Sequence, residues 1–426
     1  MNSTALVRFT AAAFAAATLA SLAQQPAAPG TPPGPLAPPG AQSAPAAAPP
    51  SWQQGRSKEH DASPLHPIAP ILTGRPASEL PLDKLKVPPG FKVEVWADGV
   101  PEARSLALGD NGTVFVGNRN LKDVYAIVDR GGKREVKKIL AGLNAPNGVA
   151  FHKGTLYVAE RGRITAYEGI EGKLDNPPPA RVVIDNLDPQ NQAGHFWKFL
   201  AMGPDGKLYF NVGAPGNIVM PAYYQASVNR VDPQTGVMER VAQGVRNSVG
   251  FDWNPKTKQL WFTNHGRDWI SDEMPNDTLN RVTAKGMNFG YPFCHQGDFL
   301  DPDFGKGRTC KEFDAPMAKL GPHIAPLGMR FYNGTMFPAE YRGNIFIAMH
   351  GSWNKTSKIG YNVTRVILDE KGGVAKMEPF LEGFLTDPKA DPPMWGRPVD
   401  VMVMRDGAML VSDDYNGIIY RVSYKK

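Results

Sequence analysis

The chain is nearly devoid of cysteine. Cys294 and Cys310 are the only two in 426 residues. No Cys-x-x-Cys-His is present, which excludes a covalently attached c-type haem. In an oxidising compartment, two cysteines this close in a loop-rich stretch predict one local disulfide. Long apolar runs are also lacking. After residue 23 no window is apolar enough and long enough to span a bilayer. No stretch after Pro81 sustains a 3.6-residue apolar period, so helices should be few. Runs of basic residues are missing as well. The formal charge is +6, yet Lys and Arg are scattered, which argues against nucleic acid and leaves a weak preference for acidic partners.

Residues 1–23 have the layout of a secretory signal peptide. Arg8 is the only basic side chain of the first segment, residues 9–22 are small and apolar, and Ser21-Leu22-Ala23 suits a signal peptidase. Retention of this segment as an uncleaved anchor is the alternative. Residues 24–80 are dense in Pro, Ala, Gly and Gln, a composition too poor in apolar surface to offset the entropy of ordering, and they read as a tether. Residues 81–426 remain for one large domain. The expected location is the periplasm or the exterior.

What the chain has is a repeat. A short apolar run, a turn built on Asp, Asn or Gly, and a β-branched or aromatic strand recur as LALGDNGTVFVGN from Leu106, VAFHKGTLYVAE from Val149 and LAMGPDGKLYFNV from Leu200. The unit returns as FDWNPKTKQLWFTN from Phe251, more loosely as MFPAEYRGNIFIAMHG from Met336, and as VMVMRDGAMLVSDD from Val401. Asp-Gly and Asn-Gly supply the positive φ that tight hairpin turns need. Six copies at spacings of roughly 40 to 85 residues predict an all-β, six-bladed β-propeller. A β-sandwich is the alternative. Residues 91–96 and 417–424 both alternate like strands, so the N- and C-terminal strands are expected to share one blade and close the ring.

Function in a propeller gathers at the mouth of the central channel, where loops of several blades converge. His195, Arg246 and Arg397 each precede the inner run of a repeat, whereas His265 and His350 each follow a strand. Equivalent positions of successive blades lie on one rim. A histidine there can take a proton from an alcohol. Arginines can grip a carboxylate. Trp353 and Lys355 offer a flat apolar face and a charge. The run 264–280 is acidic and carbonyl-rich, which suits a hard cation as well as a solvated loop. Together these are the makings of a site for a planar polyanion and a cation.

At these residues the chain resembles the soluble quinoprotein sugar dehydrogenases, the glucose and sorbosone dehydrogenase family, most of all its sorbosone dehydrogenase-like branch. The motifs are GHFWKFLAMGPDGKLYFNVG, GVRNSVGFDWNP, NHGRDWISDEMPNDTLNRV, GMNFGYPFC, HGSWNKTSKIGYNVTRV and GRPVDVMVMRDGAMLVSDDYNGIIYRV. The resemblance implies pyrroloquinoline quinone and Ca²⁺ as cofactors, and oxidation of a sugar hydroxyl or hydrated aldehyde. It implies His195 as the catalytic base and Arg246 and Asn247 beside the quinone. Arg397 would pair with a quinone carboxylate, with Trp353 and Lys355 also at the cofactor. Gly266 and Arg267 would offer calcium their backbone carbonyls, and Asp277 and Asn280 would close the calcium loop. Val399 stands where some relatives carry a second arginine. An external acceptor, a cytochrome or a quinone, would take the electrons. A lactonase-like hydrolase and a non-catalytic NHL-type binding propeller are the rival functions. The first would need acidic and Asn side chains around one metal, and the second leaves His195, Arg246 and Arg397 without a joint purpose. Mass spectrometry of the exported protein is expected to find an N-terminus near Gln24.

Overall fold

The computed structural model describes residues 75–188 and 194–425. The signal-peptide segment and nearly all of the expected tether lie outside the described residues.

Strand β1 (Phe91–Ala97) comes first but belongs to the last sheet. Five four-stranded antiparallel sheets follow. The first contains β2 (Leu106–Leu108), β3 (Val114–Gly117), β4 (Val124–Arg130) and β5 (Lys133–Leu140). The second contains β6 (Gly148–His152), β7 (Thr155–Ala159), β8 (Ile164–Glu168) and β9 (Arg181–Ile184), and the third β10 (Leu200–Met202), β11 (Leu208–Val212), β12 (Ser227–Val231) and β13 (Met238–Gln243). In the fourth, β14 (Phe251–Trp253), β15 (Leu260–Asn264) and β16 (Asn276–Arg281) are separated from their outer strand by an insertion. That insertion carries the hairpin β17 (Cys294–His295) and β18 (Phe299–Leu300), and the outer strand is β19 (Ala318–Pro322). The fifth is β20 (Pro326–Phe331), β21 (Ile345–Met349), β22 (Asn362–Leu368) and β23 (Val374–Leu381). The sixth pairs β24 (Pro398–Val403), β25 (Met409–Asp413) and β26 (Ile418–Tyr424) with β1, aligning Phe91 with Tyr424 and Val95 with Tyr420. The molecule is an all-β, six-bladed β-propeller, and both ends of the domain share one blade. Among the described residues the only helices are single 3-10 turns.

Each sheet packs against a neighbour on both faces. This is why β3 (VFVG) and β21 (IFIAM) are apolar and buried along their whole length instead of alternating. Six apolar clusters fill the six gaps between blades. Between blades three and four, for example, the Phe199 and Phe251 rings meet edge to face at 4.9 Å.

Two sequence expectations need correction. The fifth repeat was placed from Met336, but the inner strand of that blade is β20, ten residues upstream. Its repeat pattern is hidden by a proline start and by an irregular register between Pro326 and Met329. The run 264–280 suits a cation site or a solvated loop by composition, yet its last residues belong to β16, paired to β15. Asp277 is buried there, and burial pushes its carboxyl up to about 7 although both oxygens accept backbone N–H groups, from Gly266 and Ala325, each at 2.7 Å.

The insertion is closed by the expected Cys294–Cys310 disulfide, with Cα atoms 5.5 Å apart. Removing the bridge by C294S/C310S should cost about 3 kcal/mol, the chain-entropy scale for a loop of roughly 15 residues. Urea denaturation of the oxidised wild type against the double variant measures this.

Candidate active site at the channel mouth

The inner strands β2, β6, β10, β14, β20 and β24 surround the central channel. In an antiparallel meander the residues before each inner strand and those after the next strand share one end. This puts Arg104, Asn147, His195, Arg246, His323 and Arg397 on the same rim as Arg119, Arg161, Ala214, His265, His350 and Asp414. Side-chain hydrogen bonds confirm the grouping.

His195 donates through Nδ1 to the Ala214 carbonyl at 2.9 Å, and its backbone N–H donates to the same oxygen. A carbonyl only accepts, so Nδ1 carries the proton and Nε2 of the neutral ring keeps its lone pair. Burial, then the charge of Arg246, hold the imidazole well below its ordinary value. Gly213 makes this approach possible, because a Cβ at that position would collide with His195.

Arg246 is 3% exposed and fully engaged with the protein. Its Nε donates to the Asn217 carbonyl and Nη2 to Asn217 Oδ1, both at 2.8 Å; Nη2 also reaches Asp268 Oδ2 at 2.8 Å and Nη1 the Gly266 carbonyl at 2.7 Å. The guanidinium expected to grip a ligand thus braces the rim. Asn247 Nδ2 bonds His265 Nδ1 at 3.1 Å, and His265 Nε2 donates to the Pro326 carbonyl at 2.8 Å. Burial lowers His265 to about 4.

On the opposite side Asp414 is the hub. Arg104 Nη1, Arg397 Nε and His350 Nε2 all donate to its carboxylate, at 2.5, 2.7 and 3.1 Å. Burial alone would push this carboxyl up, but Arg397, His350 and Arg104 override it and hold it well below the usual range. Burial, then Arg397, lowers His350 to about 3.

Other expected residues point elsewhere. Lys355 Nζ donates to the Asp272 carbonyl at 2.8 Å and pairs with Glu273, latching two rim loops together. Arg267 sends its guanidinium into the insertion, to Asp301 at 2.7 Å. Trp353 packs edge to face on Trp269 at 5.4 Å. Asn280 bonds Thr278 within its own strand. Val399 is buried among Phe199, Phe251 and Leu327.

Sequence reasoning passed over Arg104 and Arg119, although both stand in the register used for His195 and His265. The Arg119 guanidinium lies over the Trp197 ring at 5.0 Å, and Trp197 meets His195 edge to face at 6.3 Å. Burial, then the charge of Arg104, lowers Arg119 to about 10. Arg119 Nε, Trp197 Nε1 and Asn247 Oδ1 are buried and have no partner among the described residues. Asp414 and Glu102 act as counter-charges on Arg104 and Arg119, and Asp414 and Asp413 on Arg397. This donor-rich wall, with buried Arg119 Nε and Trp197 Nε1 left over beside a neutral histidine, fits a planar polyanion.

The residues singled out for calcium do not fit a cation in the same way. The Gly266 carbonyl already accepts a guanidinium, and both Asp277 oxygens are occupied by N–H groups. Among the described residues no three His, Cys, Asp or Glu side chains gather as a metal site.

A propeller with a basic, histidine-bearing mouth defines the class, and the comparisons give the family. A family model described as Glucose / Sorbosone dehydrogenase matches residues 227–421, and one described as TrAA12-like matches residues 85–298. An uncharacterized protein of Borreliella burgdorferi is 32% identical over 361 residues, covering 82% of this chain and 93% of that protein. The pyrroloquinoline quinone-dependent pyranose dehydrogenase of Coprinopsis cinerea is 24% identical over 341 residues, 68% of this chain and 46% of the fungal protein, so the match spans about half of that relative. A calcium structure of the Trichoderma reesei AA12 carbohydrate-active enzyme superposes with a TM-score of 0.70 at 20% identity, covering 80% of this chain and 97% of that one. The chain belongs to the glucose/sorbosone dehydrogenase family. No helix of the described residues is long and apolar enough to cross a membrane.

The buried histidines predict acid sensitivity. A histidine with a folded value near 4 and an unfolded value near 6.5 contributes stability that is present above about pH 6.5 and lost as pH falls toward 4. His265→Gln should therefore lessen the slope of unfolding free energy against pH in that window by up to about 1.4 kcal/mol per pH unit. Denaturant titrations at pH 4.5, 5.5 and 7 check it.

Proposed function

We propose that the protein is a pyrroloquinoline quinone-dependent dehydrogenase that oxidises an aldose sugar, a sugar alcohol or a sorbosone-like aldehyde, in the periplasm or outside the cell. The observation that carries this reading is His195 at the mouth. It is neutral, fixed through Nδ1, and set against Trp197, over which lies Arg119 with an Nε that has no partner among the described residues. The name of the Coprinopsis relative supports the choice of cofactor.

Bound at this mouth, pyrroloquinoline quinone would supply the two-electron acceptor. Arg119 and Arg397 would hold its carboxylates and Asn247 would lie against it, with Arg104 setting Arg397 through their shared Asp414. Arg246 would act by holding the rim loops in place. His195 would take the substrate's hydroxyl proton at Nε2, the ring nitrogen that Ala214 leaves unprotonated. An external cytochrome or quinone would collect the electrons. No step of this proposal depends on a metal.

Reconstitution with pyrroloquinoline quinone, followed by dye reduction across a panel of sugars and aldehydes, tests the activity. His195→Gln should lower kcat by about 10²–10⁴ while quinone affinity stays nearly unchanged. Arg119→Ala or Arg397→Ala should instead weaken quinone binding by about 10- to 150-fold, the equivalent of roughly 1.5–3 kcal/mol for one charge-assisted partner. Fluorescence titration reads the affinity. Full rescue of His195→Gln by excess quinone would refute the base. Absence of both quinone binding and dye reduction in the wild type would refute the function.

A further inference from the structure

A buried lysine stands three residues after His195. Lys198 is 2% exposed, and burial lowers its ammonium to about 8 although the charge of Asp188 opposes the shift. Its Nζ donates to two carbonyls: Arg161 at 2.5 Å, from the rim of blade two, and Phe196 at 3.1 Å, the residue after His195. Taking an ammonium group out of water for two neutral acceptors is costly, so its placement calls for a reason.

The surrounding bonds supply one. Phe196 is held at both ends, its carbonyl by Lys198 and its ring by the Arg161 guanidinium at 4.7 Å. Arg161 is itself fixed by Asp188 at 2.5 Å. The next carbonyls are tied in turn, Trp197 to Asn211 Nδ2 at 3.2 Å and Lys198 to Asn147 Nδ2 at 2.8 Å. On the other side of the histidine, the Phe196 N–H donates to the Gly194 carbonyl at 3.1 Å. Of these three carbonyls, that of Phe196 lies nearest His195, and Lys198 is the side chain that holds it.

We propose that Lys198 is a positioning residue for His195. By joining the Phe196 carbonyl to blade two, it fixes the backbone that carries the imidazole and so the direction of Nε2. The inference rests on His195 being the base. A misplacement of about 1 Å at a reacting group can cost about 10²-fold in rate.

The test uses the full chain with Lys198→Met, which keeps length and bulk but donates no hydrogen bond, and Lys198→Arg, which keeps the donors. In Lys198→Met, kcat should fall by about 10- to 100-fold, with sugar KM and quinone affinity within about 3-fold of wild type. Lys198→Arg should recover most of the loss. In protein without quinone, ¹⁵N NMR of the His195 ring should show the Nδ1–H form diluted by its other tautomer in Lys198→Met and restored in Lys198→Arg. If Lys198→Met does not fold, Lys198→Gln, with one donor arm, takes its place. Unchanged kcat and ring shifts in a folded Lys198→Met or Lys198→Gln would overturn the proposal. Failure of the base reading shows itself separately, as full activity in His195→Gln.

Discussion

Everything at the mouth depends on closure of the ring. β1 and β26 come from opposite ends of the domain and complete one blade, which sets blade six against blade one. A hydrogen-bonded belt repeats that closure at the rim. Asp414 of blade six holds Arg104 of blade one, Arg104 holds Asn147 of blade two, and Asn147 holds the Lys198 carbonyl at the start of blade three. From His195 the path continues through Ala214, whose N–H donates to the Arg246 carbonyl of blade four at 2.8 Å. Arg246 reaches Asp268, Asp268 accepts from Asn354 of blade five, and His350 of that blade returns to Asp414. A propeller blade is rigid within itself, but its neighbours touch mainly through non-directional apolar contact. Directional bonds at one end are what can fix six separate loops to a common geometry.

The belt is charged because charge suits this place. Buried ion pairs gain little over apolar packing in a core, since desolvation consumes most of the attraction. At a mouth that must receive a polar ligand, the same groups remain satisfied by one another in the free protein. Asp414 shows the balance: three donors converge on a carboxylate that is 4% exposed. Arg119 differs, because its guanidinium rests on an indole ring and its Nε has no partner among the described residues.

The architecture was legible because its signals are local. Turn chemistry and apolar second strands such as β3 and β21 mark blades at sequence level, and the alternation at 91–96 and 417–424 marks the closure. β20 escaped because it begins at Pro326 and passes Gly328, which lies so close to Asp400 that a Cβ would collide. The site was legible as register rather than as contacts. His195, Arg246 and Arg397 fell on one rim, and the same rule applied to the first and last blades would have added Arg104 and Asp414. What register could not give was the partner each charge chooses. Lys355 is claimed by Glu273, 82 residues away, and Arg246 by Asp268 and Asn217. Such choices depend on loop conformations that no periodicity encodes.

The arginines of the mouth do two things at once. Their charge suits an anion, and the same charge, added to burial, keeps His195, His265 and His350 deprotonated at neutral pH. A histidine held far below neutrality is available as an acceptor but is a weak base, because basicity falls with pKa. Neutralising the wall removes part of that downward push. An anion seated against Arg397 therefore lets His350 rise toward its ordinary value, and linkage makes the effect reciprocal. His195 is fixed by the neutral Ala214 carbonyl; a carboxylate in that place would raise its basicity while opposing the binding of an anion.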